Sequence, residues 1–237
     1  MTPTLEAFGT WLISLKPREK QLDNETDRLR LSMRTTAKAR YTASVRLKYQ
    51  GKFTFATTTL LSLGLIFIPL IQNSGVPLAL KVGVLNAMQI FLAVSVLVYS
   101  VIIGTARYDL RSEQLNECGD KLKELIRELG REKEAGGGKL TKEQLARFHE
   151  RYSDIATDVE NHTRTDYMLT TLEMDDDYSI TGLPRLYDWL KAQFFRAVPF
   201  LPPLSLLLVE VVFITDILGV TTVFAKLLNG TYVPNAG

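Results

Sequence analysis

The chain has 237 residues, 46% of them hydrophobic, with 28 Lys and Arg against 26 Asp and Glu for a net charge of +2. That balance gives no global field favouring nucleic acid, and the single Cys118 excludes an internal disulfide and any cysteine-rich zinc or redox framework. Two histidines, His149 and His162, are too few for a multi-histidine metal site, and charges gathered into blocks with long uncharged stretches between them exclude a simple soluble globule.

Residues 1–27 form an N-terminal segment in which Leu5, Phe8, Trp11, Leu12 and Leu15 recur at helical spacing. It reads either as a short interfacial helix or as a helix packed on a neighbour. Glu6 and Gly9 interrupt it and no basic leader precedes it, unlike a cleavable signal peptide.

Residues 28–106 read as a basic helix running into a transmembrane hairpin. Phe53–Ile71 is nineteen residues without a charge and Val82–Ala106 is twenty-five. About 20 apolar residues at 1.5 Å rise cross a bilayer core of roughly 30 Å, and a chain of this length could hardly bury two such runs in a soluble core. The loop Gln72–Lys81 carries Gly75 and Pro77 and turns the chain back. Eleven Lys and Arg precede Phe53, among them Lys38, Arg40, Arg46, Lys48 and Lys52; the loop has only Lys81, and Arg107 and Arg111 follow the second run. The positive-inside rule therefore puts both ends of the hairpin in the cytoplasm.

Residues 107–196 hold 15 Lys and Arg and 19 Asp and Glu and read as a cytosolic helical region. Leu115, Cys118, Leu122, Leu125 and Leu129 make an amphipathic stripe continuing from the second span. On its outer face Glu117–Lys121 is a supportive i,i+4 pair and Glu128–Glu132 a mildly repulsive one. Gly136–Gly138 breaks the helix; the GGGK there is not a phosphate loop, because Leu140 follows Lys139 and the upstream glycine is absent. Thr141 with Gln144 forms a capping box for a second helix. Its seam runs Leu145, Phe148, Tyr152, Ile155, Val159, and the same steps lead on to His162 and Asp166.

At i,i+4 the imidazole and carboxylate of that pair are in reach of a hydrogen bond. They form either a polar lock fixing helix register or a ligand or protonation switch. No serine or cysteine nucleophile motif accompanies them, His149-Glu150 lacks the second histidine of a metalloprotease helix because position 153 is serine, and Asp175–Asp177 lacks the alternation of a calcium loop and reads as a solvated turn. No catalytic, cofactor-binding or metal-binding residue is assigned. Of three Asn-x-Thr sequons, at Asn24, Asn161 and Asn229, the first two face the cytosol in this topology.

Residues 197–225 read as a third membrane segment, followed by a tail over 226–237. Thirteen Leu, Ile, Val or Phe lie between Val198 and Ile217, each worth about −0.3 to −0.6 kcal/mol on insertion. Glu210 and Asp216 interrupt the run at roughly +2.5 to +3.5 kcal/mol for a central carboxylate, and Pro199, Pro202 and Pro203 add kinks. The sum favours a span, as does a tail whose one cation is Lys226. The rival is a hydrophobic helix lying against the hairpin or the membrane surface. The fold class is thus an all-α membrane protein: a transmembrane helical hairpin with long cytosolic helices and a third C-terminal membrane segment.

Arg40-Tyr41-x-Ala43-x-x-Arg46-Leu47 leading into Lys52-Phe53 and Thr57–Ser62, a second span ending in Tyr108, then Tyr152, Asn161-His162 and Asp166-Tyr167, is a combination that resembles the SLATT family, closest to its fifth subfamily, over roughly residues 30 to 190. The resemblance implies a bacterial two-transmembrane effector associated with nucleotide-generating or nucleotide-sensing partners, pore-forming or membrane-disrupting, in antiphage and other conflict systems. The N-terminal extension and third segment stand outside the two-span core that it implies.

In the second span Asn86, Gln89, Ala93, Ser100 and Gly104 fall on one face, interrupted by Leu97, and Thr54, Thr58 and Ser62 do similarly in the first. Such residues either pack helices together or line water. A chain with two or three spans cannot enclose a channel, so a pore requires a homo-oligomer. The leading expectation is an oligomeric, multi-pass effector of the bacterial inner membrane with a cytoplasmic N-terminus. Its partners are the lipid membrane, copies of itself, and a nucleotide second messenger or a nucleotide-handling protein. Tyr152, Asn161, His162, Asp166 and Tyr167 would form the cytosolic coupling element; Asn86, Gln89, Ser100 and Glu210 would form the intramembrane polar face. The rival is a non-conducting anchor or scaffold recruiting a cytosolic partner.

Overall fold

The computed structural model describes residues 3–14 and 18–228. Leu15, the sequon at Asn229 and the end of the tail lie outside the described residues, as does the side chain of Leu5. The described residues form nine α-helices and one 3-10 turn: α1 Pro3–Ile13, α2 Glu25–Gln72, α3 Val82–Ala106, α4 Tyr108–Ala135, α5 Lys142–Thr157, α6 Arg164–Glu173, α7 Gly182–Ala197, the turn Val198–Phe200, α8 Leu201–Ile217 and α9 Val223–Leu228. Among them the extended pairing is one isolated antiparallel bridge, Glu19 with Tyr178.

Two compact units result, Met1–Tyr49 with Tyr108–Val198 and Gln50–Arg107 with Pro199–Gly237. The first is a charged helical bundle. Leu29 and Met33 of α2 pack with Leu125 and Leu129 of α4 and Phe148 of α5, whereas Ala43 and Leu47 pack with Leu115. Rising numbers on α2 therefore meet falling numbers on α4, an antiparallel pair with three- and four-residue steps on both helices. All five residues of the α4 stripe are buried. A hydroxyl pair, Ser44 with Ser112 at 3.1 Å, sits in the same seam. α6 covers another side of α2, with Thr42 and Thr170 3.4 Å apart.

The local signals hold up on α4 and α5. The Thr141–Gln144 capping box forms, with the Gln144 N–H donating to Thr141 Oγ1 at 3.2 Å. Glu117 and Lys121 pair at 3.0 Å. The repulsion expected between Glu128 and Glu132 is offset from α5, where Arg151 reaches Glu128 at 2.6 Å and Arg147 comes within 3.9 Å of Glu132. The Asp175–Asp177 turn is tied down rather than merely solvated: Arg185 pairs with Asp175 at 2.6 Å and Arg34 with Asp177 at 3.1 Å.

The second unit is apolar. Leu61 and Ile68 of α2, Leu85 and Leu92 of α3, and Phe213 and Ile217 of α8 share one core. Among the described residues three helical stretches are long and apolar enough to cross a membrane: Glu25–Gln72, Val82–Ala135 and Gly182–Ile217. The basic segment and the first charge-free run form one 48-residue helix, about 72 Å long at 1.5 Å per residue. Arg107, in a left-handed conformation with φ 46°, separates α3 from α4. Pro202 and Pro203 do not kink α8. They occupy its first turn, where no intrahelical N–H is required. Within the third apolar segment the helix ends at Ile217, and Gly219 turns the chain at φ 72°. Asp216 explains the break, because its carboxylate accepts N–H bonds from Val223 at 3.1 Å, Phe224 at 2.5 Å and Ala225 at 2.9 Å and so caps α9.

Candidate functional site: an arginine-held helix junction

The seam of α5 does not continue as a helix to His162 and Asp166. α5 stops at Thr157 and Thr163 caps a new helix. Asp166 is the N3 residue of that cap: its Oδ2 accepts from the Thr163 N–H at 3.0 Å and from Thr163 Oγ1 at 2.7 Å, while its own N–H donates to Thr163 Oγ1 at 3.3 Å. The expected His162–Asp166 hydrogen bond is replaced by an ion pair to α2. Arg46 Nε donates to Oδ1 at 2.9 Å and an Arg46 Nη to Oδ2 at 3.0 Å, with Asp166 only 1% exposed. A two-pronged guanidinium–carboxylate contact fixes orientation as well as charge, so Asp166 joins α6 to α2 while organising the first turn of α6.

The link between α5 and α6 is held by two more arginines. Buried Arg40 donates to the carbonyl of Ala156, at 2.9 Å, an acceptor left open by the end of α5, and to that of Glu160 in the link. Arg111 of α4 donates to the Glu160 carboxylate at 2.9 Å. Three cations from two helices thus converge on the α5–α6 junction, Arg40 and Arg111 at the link and Arg46 at the first turn of α6.

His162 lies in that link. Its backbone N–H donates to Asn161 Oδ1 at 3.0 Å, its ring stacks 6.0 Å from that of Tyr167, and its Nδ1 is buried without a hydrogen-bond partner. Burial, and then the positive charge of Arg40, push its pKa below 6.5; the Asp166 carboxylate opposes them more weakly. Tyr152 stands apart from this cluster, its hydroxyl 2.8 Å from Thr36 Oγ1 and its ring in the α2–α4–α5 core. Of the five candidate coupling residues, Asn161, His162, Asp166 and Tyr167 are brought together and Tyr152 is not. Arg40, Arg46 and Arg111 are the members that sequence reasoning missed. In the sequence all three read as topology charges, Arg40 and Arg46 also as part of the family resemblance, and their spacing gives no sign of partners at Ala156, Glu160 or Asp166.

In the apolar unit the polar candidates separate too. Gln89 Nε2 donates to Gln72 Oε1 at 3.3 Å and Gln72 Nε2 to Asn86 Oδ1 at 3.4 Å, a relay across the hairpin. Ser100 is exposed and returns its hydroxyl to the Val96 carbonyl at 2.8 Å. Thr54, Thr58 and Ser62 likewise bond their own helix four residues back. Glu210 does not share the open face with them: it is buried, 3% exposed, against Gly64, where an added Cβ would overlap its Oε1.

A charged helical bundle joined to apolar helices of membrane-crossing length defines a multi-pass helical membrane protein. Residues 22–215 match the model of the SMODS and SLOG-associating 2TM effector domain family 5, and the chain belongs to that family. The match reaches past residue 190 and takes in most of α8, so the third apolar helix lies within the family region rather than outside it. No curated protein and no solved structure matches the chain.

Proposed function

We propose that the protein is a homo-oligomeric effector of the bacterial inner membrane, its N-terminus and helical bundle in the cytoplasm, that breaches the bilayer when a nucleotide-signalled partner acts on the bundle. One observation carries this reading. On α3 the residues Asn86, Ala93, Ser100 and Gly104 stand exposed, the first three each one position, about 100°, round the helix from buried Leu85, Leu92 and Tyr99. A single chain leaves this small and polar stripe open, together with larger apolar side chains such as Ile90, Leu97 and Val101. Small residues permit close helix approach in lipid, and a polar stripe facing inward in a ring of copies would line water.

The junction held by Arg40, Arg46 and Arg111 is the natural input. Displacing Asp166 from Arg46 would uncap α6 and free α2, the one helix contributing residues to both units. Expression under activating conditions should collapse the membrane potential and admit an impermeant dye. Intact membranes with the protein present would refute the breach. The hydrogen-bonded relay Gln89–Gln72–Asn86 favours a second reading, a non-conducting anchor, because it gives two of the polar residues a role in closing the hairpin. Replacing Asn86 and Gln89 by leucine separates the two: an effector pore loses conductance, whereas an anchor keeps partner binding and phenotype.

A further inference from the structure

Among the described residues of the charged unit, large hydrophobic side chains are exposed mainly on two helices. Outside α1 and α7 those exposed are Val45, Tyr49, Leu110, Tyr167 and Val198. On α7 the exposed Leu183, Tyr187, Leu190 and Phe194 follow steps of four, three and four, with Leu186 beside them, and Ala192 on the opposite side is fully buried. The helix thus packs by its small face and presents an apolar stripe outward, the reverse of an ordinary surface helix.

α1 lies against α7. Thr181 Oγ1 donates to the Trp11 carbonyl at 2.7 Å and Ser14 Oγ to the Ser179 carbonyl at 3.0 Å, and Phe8 and Trp11 are exposed with their rings stacked at 6.0 Å. Between α1, α6 and α7 runs a cleft of about 610 Å³ walled by Trp11, Leu172, Leu183, Leu186 and Trp189.

Chain connectivity says what covers this surface. α7 ends at Ala197, and after the 3-10 turn Val198–Phe200 the apolar helix α8 begins. Three residues of 3-10 helix advance about 6 Å, so the C-terminal end of α7 lies within a short step of the first residue of the apolar helix α8. Arg196 lies in its last turn, and the Lys191 ammonium sits 5.8 Å over the Tyr187 ring, cations and aromatics together as at a lipid interface.

We infer that α1 and α7 form a single platform seated in the headgroup boundary of the same bilayer that the apolar unit enters, its occupant being phospholipid. This needs only that the chain be membrane-resident, not that it conduct. Trp11 and Trp189, both on the platform, are the chain's two tryptophans, so tryptophan emission, excited selectively over tyrosine, reports on this surface alone. The full chain is reconstituted into vesicles of phosphatidylcholine and phosphatidylglycerol, with and without phospholipid brominated near the headgroup end of its acyl chains. The expected result is loss of emission with brominated lipid and shielding from iodide. It should appear in the wild type and in each of Trp11→Phe and Trp189→Phe. Free quenching by iodide with no response to brominated lipid would overturn the inference by placing the platform in water. Shielding from both quenchers would overturn it by assigning the surface to a second copy of the chain.

Discussion

Asp166 carries two jobs on one carboxylate, the cap of α6 and the ion pair with Arg46. Removing one partner of a buried pair strands the other and typically costs roughly 3–5 kcal/mol. Asp166→Ala should therefore lower the thermal stability of the purified protein by several kcal/mol, whereas Asp166→Asn, which keeps an acceptor for Thr163, should lose less; equal loss would mean that the cap contributes nothing. His162 gives a pH dependence of defined sign. Its folded pKa lies below 6.5, so as pH falls through that value the unfolded chain takes up a proton that the folded junction resists. This contribution to stability is present above that pH and is lost below it. Melting temperature should drop between about pH 7.5 and 5.5 more steeply in the wild type than in His162→Phe, which retains an aromatic ring beside Tyr167 but cannot titrate; parallel curves would contradict the assignment.

Elements were legible in the sequence where one period persists. The α4 stripe, the α5 capping box and the charge-free run Val82–Ala106, which has the same bounds as α3, follow from local pattern alone. The extension of the α5 seam failed because Thr163 caps a new helix at the point where a three-to-four-residue step still reads as continuous; Thr163 with Asp166 is itself a Ser/Thr-x-x-acid signature, overlooked in favour of the histidine. The kink expected of Pro202 and Pro203 fails for a related reason, since the effect of a proline depends on its distance from the helix start, which hydropathy does not fix. At this scale Gly64 and Glu210 belong together. Gly64→Val would push the Glu210 carboxyl from its place between α2 and α8 and should cost roughly 1–3 kcal/mol, as overpacking does. Adding Glu210→Ala should recover most of that loss; if the double variant is no more stable than Gly64→Val, the contact does not hold the helices.

For the whole molecule, composition and charge distribution were enough to read membrane residence, because two uncharged runs of spanning length leave few alternatives. The arginine convergence was not legible, since contacts such as Arg46–Asp166 join residues 120 positions apart and depend on tertiary packing. Effector action rests on the hairpin returning to the side it left. Single cysteines at Lys48, Gly75 and Glu113, in a chain with Cys118 replaced by serine, test this directly in intact cells with an impermeant thiol reagent. The account predicts that Gly75→Cys is labelled from outside and that Lys48→Cys and Glu113→Cys react only after the membrane is opened. Labelling of Lys48→Cys and Glu113→Cys from opposite sides would contradict it.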